Sequence, residues 1–277
     1  MNAQAAAVRP VPRLLRVLRV VTRTPRMRRI TLTGNTLQGF PAGSGGAHIK
    51  LLFPDAVDEV PALPAVSAIG PVWPTGAKRP HARTYTVARF DPDALELDVD
   101  IVLHGDGGPA SRWAAVARVG DWLGLVGPGG PALYWPQADR FVLIGDPSSY
   151  ALVAAVMAQL PDHAVGDVLM QIPDLAEIQP LPDRPGMVVR WALRERDGGV
   201  ERLLRLVQLL AWPSSRVSVT LAGESAQVVA IRDFLVAQRG VQRRHMYAVP
   251  YWKQAVDEDA YHEERHRIMD AFAEEPA

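Results

Sequence analysis

The stretch Gly127-Pro128-Gly129-Gly130-Pro131-Ala132-Leu133-Tyr134-Trp135-Pro136 divides the chain into halves of different hydrophobic periodicity. Gly and Pro at that density break strands and helices alike, so the stretch reads as a connection. Upstream the pattern is β. Residues 95–101 alternate strictly, with Leu95, Leu97, Val99 and Ile101 on one face and Glu96, Asp98 and Asp100 on the other. That period of two marks a half-buried strand. Residues 14–21, 27–32, 48–53, 84–90 and 121–126 are further short β-prone runs. Six such runs punctuated by Gly and Pro predict a closed or nearly closed antiparallel barrel, with one helix over 111–119. The Pro- and Ala-rich residues 54–80 read as a long surface loop. Downstream the pattern alternates. Strands are expected at 141–144, 168–172, 188–192, 217–222 and 245–249, and helices at 148–160, 200–210, 226–238 and 257–272. Alternating β and α predicts a doubly wound parallel sheet of the nucleotide-binding type. The expected division is a β-barrel domain at 1–130 and an α/β domain at 137–277.

Composition narrows the chemistry. The 277 residues are 48% hydrophobic and 22% charged, ordinary globular proportions. Thirty Lys and Arg balance thirty Asp and Glu, so no basic excess argues for nucleic acid as a partner. The chain has no cysteine. Thiol catalysis, disulfides, iron–sulfur clusters and Cys-based zinc sites are excluded, and any redox chemistry needs a bound cofactor. No apolar run is long enough for a membrane helix, and residues 1–12 lack the apolar core of a signal peptide, so a cytoplasmic protein is expected.

Two segments carry the chemistry. Arg83-Thr84-Tyr85-Thr86 places a cation, an aromatic ring and a hydroxyl on one short strand. Those are the groups a flavin requires for its pyrophosphate, its ring and a ring heteroatom; a cross-strand Tyr beside a surface Arg is the plainer reading. Residues 104–113, His-Gly-Asp-Gly-Gly-Pro-Ala-Ser-Arg-Trp, run a glycine turn into a helix start. Such a start presents unpaired N–H groups and the positive end of the helix dipole to an anion, and Ser111 either caps the helix or binds phosphate.

The run from Arg83 to Pro128 resembles the siderophore-interacting proteins, flavin-dependent ferric-siderophore reductases related to the ferredoxin reductases. The matching pieces are Arg-Thr-Tyr-Thr at 83–86, Asp-Val-Asp-Ile-Val-Leu-His-Gly at 98–105, Gly-Pro-Ala-Ser-Arg-Trp-Ala at 108–114 and Gly-Asp-Trp-Leu-Gly at 120–124. Gly145-Asp146, Leu160-Pro161, Ala222-Gly223-Glu224 and Tyr251-Trp252-Lys253 extend it through the second half. The resemblance implies FAD as cofactor, with Arg83, Tyr85 and Thr86 in contact with it. Val102 and His104 would line the flavin, and Gly108, Ala110 and Ser111 would hold the pyrophosphate. Gly145, Asp146, Gly223 and Glu224 would sit where NADPH or NADH enters. Lys253, within a basic C-terminal patch, would attract an anionic ferric chelate; Arg243, in the run Arg243-Arg244-His245, is the second candidate there. A monomer acting on a small molecule is expected, and no side chain is assigned as acid or base.

Most departures fall in the second half, and one, Ala88, falls in the first. Pro147-Ser148-Ser149 replaces the Glu-Thr-Ala usual after Gly-Asp, and Pro147 removes an N–H. Ala88 stands where a second Arg often follows, and Pro250 and Ala255 stand for the glycines usual around Tyr-Trp. They keep open a flavoenzyme acting on a small organic metabolite, and a non-catalytic binder of flavin or siderophore. His262 and His266, at helical spacing, read as a metal pair or as a solvated charged face. Arg194 and Arg196 are candidates for a nucleotide 2′-phosphate. Trp73 reads as a lid or as packing on the barrel, and Trp113 as helix-to-core packing.

Overall fold

The computed structural model describes residues 11–67, 70–105, 108–194, 200–213, 216–256 and 258–274. Arg196 and two residues of the glycine turn lie outside them. The first half contributes strands β1 (Arg13–Thr24), β2 (Met27–Thr33), β3 (His48–Phe53), β4 (Ala65–Ser67), β5 (Gly70–Val72), β6 (His81–Asp91), β7 (Glu96–Val102) and β8 (Trp122–Gly129), with helix α1 (Pro109–Val116) between the last two. Six of these strands close an antiparallel barrel in the order β1-β2-β7-β6-β3-β8. The expected alternation holds in β7: Leu97, Val99 and Ile101 point into the barrel core with Leu15, Ile30, Leu51 and Leu125, and α1 plugs that core with Ala110, Trp113 and Ala114.

Three details differ from the sequence reading. The polar face of β7 is covered: Asp98 accepts a hydrogen bond from Thr31 Oγ1 at 2.6 Å, and Asp100 holds both arms of Arg29 at 2.8 Å. Cross-strand partners from β2 stand in for water there. Leu95 belongs to the preceding turn, at φ 51°, where Asp91 Oδ1 accepts from the backbone N–H groups of Asp93 and Ala94. The long loop contains the β4–β5 hairpin, whose three-residue strands are too short to show a period.

The second half contributes β9 (Arg140–Gly145), α2 (Tyr150–Gln159), β10 (Gly166–Ile172), β11 (Met187–Leu193), α3 (Glu201–Gln208), β12 (Val217–Glu224), α4 (Ser225–Arg239), β13 (Met246–Trp252) and α5 (Glu258–Glu274). The five strands form a parallel sheet in the order β11-β10-β9-β12-β13. The chain winds outward from β9 to β11, returns to β12 and winds out again, so the order reverses beside β9. Ligands of such sheets bind at the carboxyl ends of the strands near that reversal. Every residue of β10 and β12 is buried, as central parallel strands demand. The β10–β11 connection has only a single 3-10 turn, Leu175–Glu177, because prolines at 173, 180, 182 and 185 bar a longer helix.

The two halves pack on each other. Met27 of the barrel joins Phe141, Leu143, Tyr150, Val153 and Met170 of the sheet in one apolar cluster. Gln159 Nε2 donates to the Gly45 carbonyl at 2.8 Å, and Thr24 Oγ1 donates to Glu177.

Two positions test the backbone directly. A Cβ on Gly166 would stand 1.8 Å from the Phe141 carbonyl oxygen, so β10 meets β9 only without a side chain there. Gly166→Ala is expected to cost about 2–3 kcal/mol of stability in urea unfolding. Ala255 has the opposite problem, holding φ at 59° in a region that favours glycine. Ala255→Gly is expected to stabilise by about 0.5–1 kcal/mol in the same assay.

Candidate functional site

The site is built where β6 of the barrel, with α1 packed against it, meets the end of β13, beside the carboxyl ends of β9 and β12. Helix α1 begins with Pro109, whose fixed φ suits a first helical residue and whose missing N–H costs nothing there. Its N-cap is Gly108, with no side-chain cap and no acid in the first turn. Ser111 is not that cap: its Oγ accepts from the His104 N–H at 3.1 Å and donates to the Gly105 carbonyl at 3.0 Å, locking the glycine turn onto the helix. Ala110 is buried beneath, Val102 packs on the cluster between the halves, and the His104 side chain is exposed.

On β6, the Tyr85 ring lies 6.0 Å from Phe53, and Phe53 lies 5.5 Å from Trp113 of α1, both edge to face. This chain of rings joins the Arg-Thr-Tyr-Thr strand to the helix start, with Trp113 as core packing. Arg83 and Thr86 are buried and both reach the C-terminal segment. The Arg83 guanidinium takes both carboxylate oxygens of Asp259 at 2.9 and 2.8 Å. Thr86 Oγ1 donates to Tyr251 Oη at 3.5 Å, and Tyr251 and Tyr247 share a hydrogen bond at 3.3 Å. Burial pushes both phenols above the usual tyrosine value, so they stay protonated.

Gly145, Asp146, Gly223 and Glu224 come together at the sheet's carboxyl edge around one carboxylate. Asp146 Oδ1 accepts from Ser148 N and Oγ, while Oδ2 accepts from Glu224 N at 3.0 Å and Trp252 Nε1 at 2.8 Å. Burial raises its pKa, and these four donors pull it back. The flanking glycines make room: a Cβ on Gly223, at φ 149°, would lie 2.7 Å from Asp146 Oδ2, and one on Gly145 would lie 2.3 Å from Ser149 Oγ. Pro147 occupies the first position of a turn capped by Asp146 and Ser149, where a lost N–H is harmless. Glu224 in turn caps α4, Oε2 accepting from Ala226 N and Gln227 N, and Oε1 accepts from Gln254 N.

Lys253 and Arg243 do not share a patch. Lys253 follows β13 and donates to both carboxylate oxygens of Glu264 at 2.7 Å. Arg243 precedes that strand, whose seven residues span about 23 Å. The neighbouring His245 ring stacks on Trp135 at 3.6 Å, at the sheet's opposite edge. Arg194 does reach the carboxyl edge, with its guanidinium 5.1 Å from the Trp252 ring and 2.7 Å from Gln254 Oε1. His262 and His266 are exposed on α5, and no group of three or more metal-ligating side chains occurs among the described residues. Trp73 lies under Arg79 within its own loop. Sequence reasoning missed the carboxylates of α5 and the anchoring role of Trp252; the Tyr-Trp match was the only signal for the latter.

A closed six-stranded antiparallel barrel followed by a five-stranded parallel sheet with helices is a ferredoxin-reductase-like fold. A ferredoxin reductase of carbazole 1,9a-dioxygenase shares that fold at 17% identity and a TM-score of 0.66, over 89% of this chain and 71% of its own. Residues 16–132 match the siderophore-interacting FAD-binding domain, and residues 138–255 match the siderophore-interacting protein family. The chain belongs to the siderophore-interacting protein family. It is 36% identical to the ferric vibriobactin reductase ViuB of Vibrio cholerae over 264 residues, 95% of this chain and 97% of that one. It is 33% identical to the NADPH-dependent ferric-chelate reductase of Escherichia coli over 245 residues, 87% and 92% of the two chains. The siderophore-interacting protein SipS of Aeromonas hydrophila superposes with a TM-score of 0.81 at 35% identity, over 94% of this chain and 99% of its own.

The Asp146 network gives a direct test. Asp146→Asn turns an amide donor toward an existing donor and is expected to cost about 3 kcal/mol in urea unfolding. Trp252→Phe is expected to cost about 1.5 kcal/mol in the same assay, since it leaves a buried carboxylate oxygen one donor short.

Proposed function

We propose that this chain is an FAD-dependent oxidoreductase that reduces ferric siderophores with NADPH or NADH. The observation that carries the reading is the contrast between helix starts at the site. The turn leading into α2 and the start of α4 are capped by Asp146 and Glu224, whereas α1 opens on a glycine without a side-chain cap. An uncapped start favours a phosphate, and a carboxylate already bound to a start repels one.

The residues fit FAD. Among the described residues Gly108 has only the His104 ring near a would-be Cβ, at 3.8 Å. Arg83 supplies the cation for the diphosphate; Gly108, Ala110 and Ser111 form the helix start that receives it. Tyr85 and Thr86 address the ring system, with Thr86 oriented by Tyr251. Val102 and His104 would line the flavin. Gly145, Asp146, Gly223 and Glu224 form the wall that a nicotinamide ring would face, and Lys253 is the cation for an anionic chelate. When bound, FAD would supply the conversion of a two-electron hydride donor, a reduced nicotinamide, into single-electron reduction of ferric iron. Iron(II) binds hard oxygen donors far less tightly than iron(III), so reduction frees the metal. The chain's own part is to orient both partners and exclude water.

The family supports FAD and a siderophore, and two relatives are named as ferric reductases. The barrel at 1–130 would act as the FAD-binding unit and 137–277 as the nicotinamide-facing unit. No helix among the described residues is long and apolar enough to cross a membrane. A cytoplasmic monomer is the form proposed.

The purified protein is expected to show flavin absorbance, to bleach with NADPH or NADH under anaerobic conditions, and to recover on addition of a ferric chelate. Recovery no faster than in buffer would make iron the wrong acceptor. Failure of both nicotinamides to bleach the flavin would point to a different electron donor. Gly108→Asp separates folding from binding: the new carboxylate is expected to cap α1, leave thermal stability equal or higher, and weaken FAD binding at least about tenfold.

A further inference from the structure

We propose that Arg194 holds the 2′-phosphate of a nicotinamide dinucleotide, so that the chain selects NADPH over NADH. The inference rests on the reading that such a dinucleotide lies along the carboxyl edge of the sheet, and it decides between the two. The nicotinamide end has to meet the flavin at the seam with the barrel, where Tyr251 of β13 is set against Thr86. The adenosine end, which carries the 2′-phosphate in NADPH and a hydroxyl in NADH, then runs toward the far edge of the sheet. That edge is β11. Along the way Asp146 caps the turn after β9 and Glu224 caps the start of α4. A phosphate at this edge is therefore served by a cationic side chain rather than by those two starts.

Arg194 is placed to be that cation. It follows β11, and its backbone N–H donates to the Ile172 carbonyl at 2.8 Å, which keeps it level with the end of β10. Its side chain turns inward along the edge, with the guanidinium carbon 5.1 Å from the centre of the Trp252 ring and Nη2 donating to Gln254 Oε1 at 2.7 Å. Both supports are themselves fixed, since Trp252 Nε1 donates to Asp146 and Gln254 N donates to Glu224 Oε1. The guanidinium is thus oriented by an indole face and an amide, neither of which neutralises it. Lys253, by contrast, gives its charge to Glu264, and Arg190 gives its own to Asp167. Among the described residues no carboxylate pairs with Arg194. Gln254 takes one of five N–H donors, and a phosphate accepts two of the others side by side. A ribose hydroxyl offers no charge and no such match.

The test uses full-length, flavin-loaded protein and two adenine nucleotides that differ only in the phosphate at issue, 2′,5′-ADP and 5′-AMP, with binding read by calorimetry. Wild-type protein is expected to bind 2′,5′-ADP at least about tenfold more tightly than 5′-AMP. Arg194→Gln is expected to weaken 2′,5′-ADP alone and bring the two within about twofold of each other. The ratio of kcat/KM for NADPH and NADH in ferric-chelate reduction is expected to fall by the same factor. Equal affinity of wild-type protein for the two nucleotides overturns the inference and leaves the nicotinamide reading standing. Equal weakening of both by Arg194→Gln also overturns it and makes Arg194 a support for Trp252. If neither nucleotide binds, the inference falls together with the nicotinamide reading, while the flavin assignment stands on its absorbance.

Discussion

The buried carboxylate of Asp146 fixes the carboxyl edge of the sheet, and the site takes its shape from that edge. It accepts from the turn after β9, from the backbone at the end of β12 and from the indole at the end of β13, so three strand ends share one acceptor. With Trp252 held, its neighbours have little freedom. Tyr251 is set against Thr86 on the barrel, and Lys253 is set against Glu264 on α5. The glycines on either side of this hub serve it sterically, since a side chain on Gly145 or Gly223 would collide with Ser149 or Asp146. Their value lies in close approach as much as in any contact with a nucleotide.

The electrostatics of the two halves are complementary in design. The barrel keeps a helix start without a side-chain cap next to a buried cation, an environment that attracts phosphate. At the sheet's carboxyl edge Asp146 caps the turn after β9 and Glu224 caps the start of α4, so these two positions already hold a carboxylate. The cation–π contact of Arg194 with Trp252 places one positive charge at that edge.

Much of the fold was legible because its signals are local. The alternation of Leu97, Val99 and Ile101, and the break at residues 127–136, follow from backbone geometry that neighbouring residues share. The site was legible in part for the same reason, since residues 83–86 and 104–113 are short continuous segments. What escaped is long-range. Arg83 and Asp259 are 176 residues apart, and nothing in a charged helical stretch says which carboxylate finds a buried guanidinium. Asp98 and Asp100 read as solvent-facing because the partners that cover them, Thr31 and Arg29, come from another strand. The separation of Arg243 from Lys253 follows from the length of β13, which proximity in sequence conceals. Pro147 read as damage to a nucleotide site, yet it sits where a helical turn begins and tolerates proline by construction.

The apolar cluster that runs from Met27 into Phe141, Tyr150 and Val153 has a further consequence. Neither half encloses its own interior completely, because the barrel lends a side chain to the sheet's core and the sheet shields the barrel's outer wall. Separating them uncovers greasy surface on both pieces at once. Loss of order in either half is therefore expected to destabilise the other.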